Sequence, residues 1–278
     1  MQIDATPLGT QNDGLRHRRW VSPTTGVTVH YEARPPKHDC DSIIVIFSSI
    51  RGKNSWLDFD GIDGHALKTN RARLLFIYDD FSDEYTYYAM KSGTESVQVA
   101  TEEFLREYLE IHNYNTERAI FAGLSKGATA ALLIGTRFPG SPIVALAPQI
   151  ALGQYLNGRT DLIFENMIGP RTQTNMDELD RLVPNAISQD VDRSRPLYIL
   201  TSPNDSNCYE RANSILSNYK NANLIVTPSK RAVEHATTLH YLLPTFLPLL
   251  GLLSSGLYPN IGPSIDELRQ EQERKTPA

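Results

Sequence analysis

Six short apolar runs, each bounded by turn-forming or polar residues, restrict this chain to a small set of folds. They are Ser42-IIVIF-Ser48, Arg73-LLFIY-Asp79, Arg118-AIFAG-Leu124, Pro142-IVALA-Pro148, Pro196-LYIL-Thr201 and Asn223-LIV-Thr227. Near-continuous apolarity over so few residues marks strands covered on both faces. Helical patterns lie between several of them, the clearest being Ser96 to His112, where Val97, Ala100, Phe104, Leu105, Tyr108 and Leu109 recur at helical spacing. Alternating strands and helices predict a doubly wound, mostly parallel α/β sheet. Ahead of it, Leu15 to Val21 and Val27 to Arg34 alternate about Ser22-Pro-Thr-Thr-Gly26, the pattern of an antiparallel hairpin.

One of the junctions carries a chemical signature. In Phe121-Ala-Gly-Leu-Ser125-Lys-Gly-Ala128 a serine stands between glycines two residues to either side, where a strand gives way to an Ala/Leu-rich helix. The G-x-S-x-G pattern in that setting is a nucleophile elbow, a turn that lifts a serine hydroxyl out of the sheet; the glycines are expected to let the backbone turn sharply. A serine hydroxyl is a weak nucleophile unless a base and an acid that orients the base accompany it. On such an elbow the acid and the histidine follow the serine in chain order. Asp205 stands just beyond the strand of Leu197 to Thr201 and is the candidate acid, although aspartate also favours such loops for its own turn hydrogen bonds. Only His235 and His240 follow Ser125. His235 precedes the helical stretch Ala236 to Leu250 and is placed to reach Ser125, while His240 lies a turn further on, packed or lining the site. His17, His30, His38, His65 and His112 precede the elbow and read as surface or structural.

Acyl transfer further needs donors for the developing oxyanion, commonly worth about 3 kcal/mol each. The Lys126 N–H comes with the elbow, and the loop after Ile43 to Phe47 offers the N–H of Ser49 or Ile50, with Ser48 Oγ as an assistant. Arg51, Lys53 and Lys126 crowd the same edge, where they would meet an anionic group on substrate or remain solvated.

Composition narrows the alternatives. The 278 residues, 40% hydrophobic, suit a single elaborated domain with its core over about 15–252. With 27 basic and 32 acidic residues, a net charge of −5 and no basic block, nucleic acid is not an expected partner. Cys40 and Cys208 form neither a disulfide framework nor a zinc pattern, and no dinucleotide fingerprint, P-loop or metal-ligand spacing occurs, so no cofactor or metal is expected. The N-terminus has no signal-peptide pattern, and Pro244 and Pro248 interrupt the apolar stretch Leu239 to Leu253; the expectation is a cytoplasmic protein without stable membrane insertion. The region 153–195, including Phe164, Met167, Leu179 and Leu182, falls between the sixth and seventh strands, counting the hairpin as two. It is expected to form a lid or cap over the carboxyl ends of the strands, or else a plain surface excursion. The polar tail 262–278 reads as a solvated or frayed helix.

The elbow and the order Ser125, Asp205, His235 resemble the α/β-hydrolase superfamily. A narrower resemblance, to bacterial capsular-polysaccharide biosynthesis proteins of the XcbB/CpsF type and a glycan-modifying component of the accessory Sec secretion system, rests on four stretches. These are Ile46-Phe-Ser-Ser49, Leu75-Phe-Ile-Tyr-Asp-Asp-Phe81 with Tyr87-Tyr88, Gly123-Leu-Ser-Lys-Gly127, and above all Ala147-Pro-Gln-Ile-Ala-Leu-Gly-Gln-Tyr-Leu156. His235 ahead of Tyr241 and Pro244 is similar to a histidine before an aromatic and proline cluster in that group, which favours it over His240. The resemblance implies acyl chemistry on a glycan or related small molecule, by an esterase, deacetylase or O-acetyltransferase, with Ser48, Arg51, His240 and Gln149 on the substrate side. A homodimer is compatible with it. Two other readings stand beside it: a thioesterase or peptidase of secondary metabolism, with Phe164, Met167 and Ile168 shaping an acyl tunnel, and a non-catalytic scaffold of a polysaccharide-synthesis or secretion complex.

Overall fold

A computed structural model of the chain describes residues 18–37, 39–50, 66–227 and 229–261. The expected hairpin forms from β1 (Arg18–Val21) and β2 (Thr28–Arg34), paired antiparallel with Trp20 opposite Val29. The start of the first expected run, Leu15 to His17, lies outside the described residues, as do His38, His65, Arg51, Lys53 and the tail 262–278. The remaining strands are β3 (Ile43–Phe47), β4 (Arg73–Ile77), β5 (Ala119–Leu124), β6 (Ile143–Leu146), β7 (Pro196–Thr201) and β8 (Asn221–Val226). All eight join one sheet in the order β1-β2-β4-β3-β5-β6-β7-β8, parallel from β4 to β8.

Side-chain alternation along these strands builds two cores. Ile43, Val45, Phe47, Phe121, Ile143 and Leu197 face one side, where they meet α1 (Ser96–Ile111), α2 (Lys126–Gly135) and α6 (Ser206–Leu216). Ile44, Ile46, Ile120, Val144 and Leu200 face the other, against α7 (His235–Ser254). Helices on both faces explain why the strands read as continuous apolar runs. Helix α7 is long and apolar enough by composition to cross a membrane. One stripe of it, Leu242, Phe246, Leu249, Leu250 and Leu253, is packed into the second core. The helix runs through Pro244 and Pro248, both on its exposed side, where water can satisfy the carbonyls that each ring leaves unbonded.

Region 153–195 differs in part from the lid expected of it. It forms α3 (Leu152–Asn157), α4 (Ile163–Ile168) and α5 (Gln173–Gln189). Leu179, Val183, Ala186 and Ile187 of α5 join the first core, as do Phe164 and Met167, which therefore pack rather than line an acyl tunnel. Behind it, the fully buried Arg195 pairs with Asp190 at 2.7 Å and donates to the carbonyls of Gly135, Phe138 and Ser141, closing the end of α2. Cys208 is buried in the first core and Cys40 is half-buried; both are free thiols.

Candidate active site

Ser125 occupies the turn between β5 and α2 with φ 54° and ψ −119°, a conformation strained for any residue with a Cβ. The serine itself, and neither glycine, takes the positive φ. The glycines are required by close approach instead: a Cβ on Gly123 would stand 2.2 Å from the Gly127 carbonyl carbon, and one on Gly127 would stand 2.1 Å from the Phe47 carbonyl oxygen. The start of α2 thus rests directly on the end of β3, beside the loop Ser48–Ile50.

The other two candidates reach the same point from later strand ends. Asp205 sits at the N-cap position of α6, yet its carboxylate makes no cap bond; it accepts from His235 Nδ1 at 2.8 Å. His235 is the first residue of α7, set there by a reciprocal capping pair between Glu234 and Thr237. Its Nε2 lies 2.8 Å from Ser125 Oγ. Two bonds to the Ala232 carbonyl, from Ser202 Oγ and Asn204 Nδ2 at 2.8 Å each, tie the acid's loop to the segment before the base. With Nδ1–H donated to the carboxylate, Nε2 is left to accept the serine proton.

Ser125 and His235 open on a cavity of about 440 Å³. Ser49 and Ile50 line it beside the nucleophile, Leu124, Leu239 and Leu243 give it apolar walls, and Tyr155, Arg159 and His240 give it a polar side. From region 153–195, only Tyr155 and Arg159 reach this cavity. His240 therefore lines the cavity, and His235 is the histidine that hydrogen-bonds Ser125. Among the earlier histidines, His30 is paired with Asp80 at 2.7 Å and His112 packs on Tyr108.

Three side chains lie elsewhere than the sequence suggested. Lys126 does not face substrate: its ammonium is fully buried, 3.0 Å from Asp79 and over the rings of Tyr85 and Tyr88. Ser48 turns the same way, its Oγ 2.8 Å from the Tyr88 hydroxyl and 3.3 Å from Lys126 Nζ, because the buried ammonium and phenol offer it partners that the cavity does not. Gln149 lies under the cavity rather than in its wall, with its amide nitrogen 3.0 Å from Ser125 Oγ. The sequence held one signal for this, a buried-strand run followed, three positions beyond its end, by a polar residue.

No protein-family model and no curated protein sequence matches the chain. Solved structures do. The capsule O-acetyltransferase of Neisseria meningitidis serogroup A superposes with a TM-score of 0.66 at 16% identity, over 90% of this chain and 98% of that one. The Glycosylation Associate Protein (Gap123) complex from Streptococcus agalactiae gives 0.64 at 17% identity over 84% of this chain, which spans 45% of that one. FphF, a fluorophosphonate-binding serine hydrolase of Staphylococcus aureus, gives 0.58 at 14% identity, over 86% and 97%. The strand order, the two helical layers and these superpositions together establish that the chain has the α/β-hydrolase fold.

Proposed function

We propose that the protein is a serine-dependent acyl hydrolase or acyltransferase that removes or transfers an acetyl group on a bacterial glycan or a related small molecule. The observation that carries this reading is the unbroken chain Ser125 Oγ to His235 Nε2 and His235 Nδ1 to Asp205, with 2.8 Å at each link and the serine end open to a cavity. Ser125 attacks the acyl carbonyl as His235 takes its proton, and Asp205 stabilises the imidazolium that forms. The N–H groups of Lys126 and of Ser49 or Ile50 receive the oxyanion, in keeping with their position beside the nucleophile. The tetrahedral intermediate then collapses as His235 passes its proton to the departing group. Water or a sugar hydroxyl, deprotonated in turn by His235, attacks the acyl-serine, and that proton returns to Ser125 Oγ as the acyl group leaves.

Support for a glycan substrate comes from the subgroup resemblance and from the similar Neisseria protein, a capsule O-acetyltransferase that has also been solved with CoA. A cavity with one apolar and one polar side suits a small acyl group beside a hydroxyl-rich acceptor. The first test is covalent labelling by a fluorophosphonate, read by intact-protein mass. A single adduct is expected, absent in Ser125→Ala and slowed by about 10³-fold or more in His235→Ala, since triad members act as a unit. Assays then follow acetate released from O-acetylated glycans against acetyl transferred from acetyl-CoA to unmodified ones. A folded wild-type protein that takes up no label would overturn the catalytic reading.

A further inference from the structure

We infer that Gln149 is a catalytic residue: its side-chain amide donates to Ser125 Oγ and stabilises the charge that develops there as the proton leaves. The inference rests on the serine-enzyme reading above and adds to it a group that the triad does not contain. Gln149 is 1% exposed and follows a backbone turn in which Ala147 takes φ 52°. Its own N–H is held by Thr129 Oγ1 at 2.9 Å, and the next N–H, of Ile150, by Asn207 at 2.9 Å. So fixed, the amide nitrogen meets Ser125 Oγ at 3.0 Å, His235 Nε2 at 3.0 Å and the Ala147 carbonyl at 3.4 Å. The serine oxygen and the Ala147 carbonyl both call for a donor, and Oε1 lies within 3.4 Å of the Thr129 hydroxyl, so the NH₂ end faces the triad.

Proton bookkeeping gives this contact its role. Before attack the serine hydroxyl donates its single proton in a hydrogen bond to His235 Nε2, and the histidine's own N–H, at Nδ1, donates to the Asp205 carboxylate without losing its proton. Ser125 Oγ keeps lone pairs, and Gln149 donates to one. On attack the O–H bond breaks, its proton moves to Nε2, an Oγ lone pair forms the bond to the acyl carbon, and the carbonyl π pair moves onto its oxygen. The Gln149 bond is weaker to a neutral hydroxyl and weaker again to the ester oxygen of the acyl-enzyme. It is strongest while Oγ carries charge, which is the condition for lowering a barrier rather than tightening a ground state. Once Nε2 is protonated, two N–H groups oppose each other across the Gln149–His235 contact, and that opposition favours passing the proton on to the leaving group.

Fluorophosphonate labelling tests this without a known substrate, because an Oγ–P bond forms, the P–F bond breaks, fluoride leaves and the serine proton again goes to His235. Gln149→Met keeps the length of the side chain and removes the donor; Gln149→Glu keeps the shape and replaces the donor with an acceptor. Both are expected to lower the maximal labelling rate about a hundredfold, the lower end of the range for loss of one such donor. The half-saturating probe concentration should stay at the wild-type value in both, and the melting temperature of Gln149→Met at the wild-type value. Labelling of Gln149→Met at the wild-type rate would overturn the inference while leaving the triad intact. Slow Gln149→Met beside fast Gln149→Glu would overturn it too, by showing that filling the space is all that matters. A wild-type protein that does not label, or one whose adduct persists in Ser125→Ala, overturns the reading beneath it, and the inference with it.

Discussion

Lys126 adjoins the nucleophile in sequence, and its side chain runs away from the substrate into the protein. The ammonium donates to Asp79 and to Ser48 Oγ, and the Asp79 carboxylate also accepts from the Thr86 hydroxyl and the N–H groups of Thr86 and Tyr87. Three pieces of chain are thereby tied together: the start of α2, the loop beside the nucleophile, and the turn after β4 where Tyr87 and Tyr88 both hold positive φ. A buried pair like this adds little stability over an apolar replacement, but removing one partner leaves an uncompensated charge. Lys126→Met should therefore cost about 3–5 kcal/mol in denaturant unfolding. Adding Asp79→Asn should recover part of that loss, the non-additivity that marks a direct interaction. Equal and additive losses in the two single variants would show that the residues act separately. The pairing was not legible in the sequence because Asp79 and Lys126 belong to different strand ends that only the β4-β3-β5 order brings together. A lysine next to a nucleophile reads as substrate-facing until that order is known.

At the level of elements, the approach of α2 to β3 fixes the site more tightly than any single hydrogen bond. An added Cβ at Gly127 meets the Phe47 carbonyl oxygen and carbon, backbone atoms of a central strand that cannot swing aside. Gly127→Ala should consequently lift the start of α2 from the sheet, cost at least the ~1–3 kcal/mol usual for overpacking, and abolish labelling of Ser125. Wild-type melting and labelling in that variant would show that the helix tolerates displacement. The strands themselves were legible because burial on both faces leaves no room for polar residues, and the site was legible because Ser125 and Asp205 stand just past such runs while only two histidines follow Ser125. Less of region 153–195 could be read. Its amphipathic α5, with Leu179, Val183 and Ile187 on one face, carries the same pattern whether that face meets a substrate or the sheet, and packing against the core decides it. The start of α7 was read one residue late, at Ala236 rather than His235, because its Glu234–Thr237 capping pair reverses the usual order of hydroxyl and carboxylate residues.

Across the whole molecule, tyrosines are distributed through both cores, and their burial sets an alkaline limit on the fold. Tyr87, Tyr108 and Tyr219 belong to the first core and Tyr78 and Tyr198 to the second. Burial pushes all five phenols above the usual 10.0, reinforced at Tyr78 by Glu32 and at Tyr219 by Asp190; Tyr198 is pushed up to about 12. Each binds its proton more tightly in the folded chain than in the unfolded one, so the sign of the linkage is fixed. The stabilisation is whole below pH 10.0 and is lost as pH rises through the folded values, which for Tyr198 means between pH 10 and about 12. These hydroxyls sit in both layers, on Asp190, Glu32 and the Pro259 carbonyl, so their ionisation draws on both faces of one sheet. Alkaline titration should then show the tyrosinate absorbance of the buried set rising in one cooperative step, coincident with loss of the far-ultraviolet dichroism. Tyr198→Phe, which removes one ionisation but keeps the ring in the second core, should move that step to higher pH. A tyrosinate signal that grew smoothly while the dichroism held would mean that the two cores open to solvent independently, and would contradict the single cooperative structure that the continuous sheet implies.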